Sequence, residues 1–138
     1  MTVLDLAKDW LRYAQSDLNT ATHMFHNIHP KETEISCYHS QQCAEKALKA
    51  YLISKETTPP YTHDLLELNN LCIAQEPGFS SLHSSCVSLN PYGVAVRYLN
   101  ELAVDDTIAK LAVDKAQFVY NFVVGKIQGE IKEEGLVQ

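Results

Sequence analysis

Glycine and proline are scarce in this chain. Five of each occur, and they cluster between periodic segments. A many-turned β fold uses both more freely, so the pattern points to helices. Arginine is scarcer still, with Arg12 and Arg97 alone. The formal net charge is −6, whereas a general DNA binder carries a basic surplus that displaces phosphate counterions. Nucleic acid could be held here only by a local basic patch, for which Lys46, Lys49 and Lys55 are the candidates. No apolar run approaches the roughly 20 residues of a membrane span. The opening MTVLDLAKDW lacks the basic stretch and apolar run of a signal peptide. A cytoplasmic location away from membranes is therefore expected. No two of Cys37, Cys43, Cys72 and Cys86 stand in a C-x2-C spacing, so no zinc site is expected. Three of them lie among apolar residues on predicted helical faces and read as small hydrophobes, and free thiols suit a reducing compartment. No Gly-rich phosphate loop and no H-E-x-x-H occur, and no cofactor is expected.

What is present suits a helical domain. The 138 residues are 46% hydrophobic and 20% charged, enough for one folded core without metal or disulfides. Leu4, Ala7, Leu11, Ala14, Leu18, Ala21, Phe25 and Ile28 alternate by three and four, which predicts a long first helix that Pro30 ends. Trp10 is expected at the rim of a core or in an oligomer contact, and the apolar face of this helix, wider than a single core needs, predicts a homodimer. A second helix is predicted from Lys31 or Glu32 to Ser54, and the other helices are expected to pack around it. Tyr38, Gln41, Glu45, Leu48 and Leu52 form one of its stripes. Glu45 is accordingly expected to be buried or half-buried and paired, with Arg97 the preferred partner. Pro59 and Pro60 stop this helix. A third is expected from Thr62, as N-cap, to about Gln75. A short fourth covers Ser80 to Leu89, and Asn90-Pro91-Tyr92-Gly93 is a turn. Periodicity does not decide Val94 to Asn100. Asp105 or Asp106 caps a long last helix, with Ile108, Ala112, Lys115, Val119, Phe122 or Val123, and Ile127 on its buried face. Residues 129–138 are expected to fray, since Gly129 weakens the helix and the tail is charged.

Four groups of residues carry the chemistry. His39, Gln42, Lys46 and Lys49 form a polar stripe on the second helix. Their imidazole, amide and ammonium groups suit a phosphate or a ribose; a solvated helix face is the other reading. In Thr62-His63-Asp64, Asp64 could orient the imidazole, or the segment could simply cap the third helix. Arg97-Tyr98 could clamp an anionic ligand or pair with an acidic residue. His23, His26 and His29 stand at the end of the first helix and read as a solvated helix end rather than a metal site.

Taken together, these residues resemble the HEPN domain family (higher eukaryotes and prokaryotes nucleotide-binding). The resemblance is carried by WLRYAQSDL at Trp10–Leu18, CYHSQQCAEKALKAYL at Cys37–Leu52, THDL at Thr62–Leu65 and VRY at Val96–Tyr98. It spans nearly the whole chain, as one domain over residues 1–138. It implies an all-α, up-and-down bundle of four main helices plus a short extra one, and a homodimer. It further implies a partner, a small nucleotidyltransferase, in a toxin–antitoxin-like pair. Other members are metal-independent RNases that use an arginine followed four to six residues later by histidine. Here Arg97 is followed by Tyr98 to Val104 with no histidine. The expected function is thus a nucleotide- or RNA-associated binding module rather than an enzyme. An RNase toxin using Arg97 with His63 or His39, and a purely structural bundle, are the alternatives. The expected ligand-binding residues are His39, Gln42, Lys46, Lys49, His63, Asp64, Arg97 and Tyr98.

Overall fold

The computed structural model describes residues 1–94 and 101–137. Among them every regular element is helical, in four main helices and one short one, as expected, with two short 3-10 helices besides. The reading of residues 95–100, Arg97 and Tyr98 included, lies outside the described residues.

Helix α1 spans Val3–His26. It opens with a capping box: Thr2 Oγ1 accepts the Asp5 N–H at 3.0 Å, and Asp5 Oδ2 accepts the Thr2 N–H at 3.1 Å. Two backbone donors that the first turn leaves free are thereby satisfied. Ala7, Ala14, Leu18, Ala21 and Phe25 of its alternating seam are buried. The helix ends two residues short of Ile28, with the Asn27 N–H bonded to the His23 carbonyl at 2.8 Å.

Helix α2 (Thr33–Ser54) is the centre of the bundle, packing against α1, α3, α4 and α5. Its small residues Cys37, Cys43, Ala44, Ala47 and Ala50 are fully buried, which lets neighbouring backbones approach closely. Helix α3 (Leu65–Gln75) starts later than Thr62 predicts. Asp64 is its N-cap and accepts the Leu66 N–H at 2.9 Å, while Thr62 Oγ1 accepts the Asp64 N–H at 3.1 Å. The carboxylate takes the cap because it adds charge to the hydrogen bond at the positive helix end.

The stretch predicted as one helix over Ser80–Leu89 is divided. A 3-10 helix covers Pro77–Leu82, and helix α4 covers His83–Leu89. Pro77 sets the first turn, and Glu76 accepts the Gly78 N–H at 2.9 Å. Both segments still bury their apolar residues, Phe79, Leu82, Cys86 and Leu89. A 3-10 turn, Asn90–Tyr92, follows at the predicted break.

Helix α5 spans Asp106–Val137. Asp105 precedes it and accepts the Ile108 N–H at 2.8 Å. Ala109, Ala112, Ala116, Val119, Val123 and Ile127 are buried, whereas Ile108, Lys115 and Phe122 are only half-buried. Tyr51, Phe79 and Phe122 stack in series where α2, the 3-10 helix and α5 meet, with ring centroids 4.4 and 5.0 Å apart. No helix among the described residues is long and apolar enough to cross a membrane.

Candidate functional site

The polar residues of α2 serve two clusters, one turned toward α1 and one toward the start of α3. The first is built on Asp17 of α1, which stands beside the seam residue Leu18 and is buried. His39 Nδ1 lies 2.8 Å from Asp17 Oδ1, and Lys46 Nζ donates to Asp17 Oδ2 at 2.6 Å. Burial by itself would push the Asp17 carboxyl up. The hydrogen bonds from His39 and Lys46, with their charges, outweigh burial and hold it below its ordinary value.

The second cluster is built on Glu45, which is 4% exposed. Lys49 Nζ donates to Glu45 Oε2 at 3.1 Å, and His63 Nδ1 lies 2.9 Å from Glu45 Oε1. Gln41 Nε2 donates to the His63 carbonyl at 3.1 Å and reaches Glu45 Oε1 at 3.4 Å. Gln42 Nε2 donates to Gln41 Oε1 at 2.7 Å. The amide of Gln41 is therefore used on both sides, and it fixes the backbone that presents His63. The loop after α4 closes over it: a Cβ at Gly93 would come within 3.0 Å of Gln41 Nε2. Lys49 also stands 5.9 Å from the centre of the Trp10 ring, so Trp10 caps this cluster from α1.

The polar stripe is thus neither a row of free cations nor a solvated face. Its members are half-buried or buried, and Lys46 and Lys49 each face a carboxylate. The partner of the His63 imidazole is Glu45 rather than Asp64, whose carboxylate is occupied by the Leu66 N–H and the Asn90 side-chain amide. Glu45 is buried and paired, as its stripe predicts, through Lys49 and His63. A pairing with Arg97 lies outside the described residues. His23, His26 and His29 are all exposed.

Two residues of this region escaped the sequence reading. Asp17 is a charged residue beside an otherwise apolar seam, and that position was the available signal. Asn69 is fully buried on α3, and both its side-chain polar atoms lack a hydrogen-bond partner among the described residues. Nothing in its local sequence marks it.

The chemistry on offer is that of an oriented imidazole. A carboxylate only accepts hydrogen bonds, so Glu45 holds the proton of His63 on Nδ1. The His63 side chain is 59% exposed and the Glu45 side chain 5%, so Nε2 is the ring atom left to meet a ligand. His39 is held in the same way by Asp17 but is less exposed, at 29%.

The HEPN domain profile matches residues 7–129. Among solved structures, TT1696 from Thermus thermophilus is similar with a TM-score of 0.72 and 25% identity, over 87% of this chain and 97% of that one. ST0689, described as an archaeal HEPN homologue, is similar with a TM-score of 0.70 and 23% identity, over 88% of this chain and 97% of the other. No curated protein shows significant similarity to the chain.

Proposed function

This chain belongs to the HEPN domain family, and from that membership we propose that it is a nucleotide- or RNA-binding module that works without cleaving RNA. In this reading it dimerises with a second copy in the cytoplasm and partners a small nucleotidyltransferase in a toxin–antitoxin-like pair. Family membership supports a nucleotide- or RNA-related role in general. The observation that carries the binding reading is the exposed His63 ring, held at Nδ1 by a buried carboxylate. Cleavage would need a base for the 2′-hydroxyl and a cation for the phosphorane. The short-range histidine after Arg97 that would complete the RNase pattern is absent from the sequence.

The ligand set in this reading is His63 with Gln42, Lys46, Lys49 and His39, together with Arg97 and Tyr98, while the Asp64 carboxylate stays engaged as the α3 cap. His63 meets the anion directly, while Lys46 and Lys49 set the local field from their carboxylate partners. Calorimetry with AMP, ATP and a short single-stranded RNA tests this. Binding by the wild type should weaken roughly tenfold or more in His63→Ala, the loss of one hydrogen bond to a charged group. A labelled RNA should remain intact in the same samples. Metal-independent cleavage by the wild type, lost in both His63→Ala and Arg97→Ala, would reinstate the RNase alternative. Co-purification with the product of a neighbouring nucleotidyltransferase reading frame tests the pairing.

A further inference from the structure

The outer face of α5 carries glycines that the protein's own packing does not use. Gly125 and Gly129 lie inside the helix and are exposed. Neither has a positive φ, and a Cβ at either would meet nothing within 4 Å. Glycine inside a helix is destabilising relative to alanine, so these two weaken α5 with no return inside the bundle. A groove runs past both of them. The same face carries Leu111 and Phe118, each 50% exposed, and the half-buried Phe122. Leu111, Phe118 and Gly125 follow one another at heptad spacing, and so do Lys115, Phe122 and Gly129. Together they form a seam on the side opposite the buried Ala109, Ala116 and Val123.

We propose that a second copy of this chain covers this seam, with the two α5 helices antiparallel about a two-fold axis near Tyr120. An antiparallel seam sets the first heptad series against the second. Centred on Tyr120, it places Phe118 beside the partner's Phe122 and Leu111 over the partner's Gly129. The aliphatic stem of Lys115 lies over the partner's Gly125 and its ammonium reaches solvent. Leu111 and the stem of Lys115 each meet a glycine of the other copy, and the two phenylalanines pack on one another. The register is its own mirror in sequence, as an isologous dimer requires. Along the exposed edge, Asn121 meets the partner's Asn121 and Asp114 meets the partner's Gln128, so no like charges oppose. A parallel register would set glycine on glycine and leave an empty layer. The proposal rests on the dimer reading above and assigns its surface.

Sedimentation of the full chain at tens of micromolar tests it. The wild type should run as a dimer, and Phe118→Glu and Gly125→Phe as monomers with unchanged helical circular dichroism. Asn121→Cys should oxidise to a disulfide-linked dimer, because the four native cysteines are buried and position 121 faces itself across the axis. Ser84→Cys, exposed on α4, should not. A wild-type dimer that persists in both Phe118→Glu and Gly125→Phe places the interface elsewhere and leaves the dimer reading standing. A monomeric wild type overturns both. Should the seam variants fail to fold, cross-linking decides: an Asn121→Cys yield no greater than that of Ser84→Cys overturns the surface.

Discussion

A carboxylate removed from water stays ionised only when hydrogen bonds and charges replace its hydration. Asp17 meets that condition with one lysine and one histidine. For Asp17 the result is a carboxyl held below its ordinary value, despite burial, by His39 and Lys46. The folded protein therefore binds this proton less readily than the unfolded chain does. The resulting stability is fully present above the unfolded value of about 3.9 and drains away as pH falls through the lower folded value. Urea unfolding of the wild type should accordingly lose more stability between about pH 5 and about pH 2 than that of Asp17→Asn. Equal losses in the two proteins would show that Asp17 is not stabilised in this way. Glu45 was legible as a buried acid because it shares a stripe with Leu48 and Leu52. Asp17 was not, since the residues that pair it come from another helix.

At the scale of the element, the helix bodies and the ends at Ser54, Gln75 and Leu89 were legible in the sequence, whereas the start of α3 and the division of the fourth segment were not. A hydrophobic seam repeats over many turns, whereas an end is decided by a single hydrogen bond. At α3 the sequence points to Thr62 as the cap, but Asp64 holds the helix. It also accepts from Asn90, whose Oδ1 in turn accepts the Leu65 N–H at 2.9 Å. One side chain therefore joins the helix start to the turn after α4. Asp64→Ala should cost about 1 kcal/mol or somewhat more, and Thr62→Ala less. Urea midpoints of the two variants check this; a larger loss in Thr62→Ala would return the cap to Thr62. The division of the fourth segment has the same origin, since Pro77 and the Glu76 cap set a 3-10 turn before the α-helical spacing can take hold.

For the whole molecule, the cysteines measure how closely the bundle is packed. All four are free and buried, and burial pushes the thiols of Cys37, Cys72 and Cys86 up to about 12. Thiolate is the reactive form, so the native protein at neutral pH should resist a thiol-labelling dye, and all four should react once it is unfolded. Fast labelling of the native state would show that the helices do not pack this closely. Sequence alone determined the helical class, the helix bodies, the central place of the second helix and the family resemblance. Each of these rests on residues near one another in the chain, where a period or a motif can be read directly. Only the tertiary structure decided which charges meet. His39 reaches Asp17 across 22 positions, Lys46 reaches it across 29, and Glu45 takes His63 from 18 positions away. The helix wheel gives a residue's direction on its own helix. Which helix lies in that direction, and what it presents there, depends on how the whole bundle buries its apolar faces.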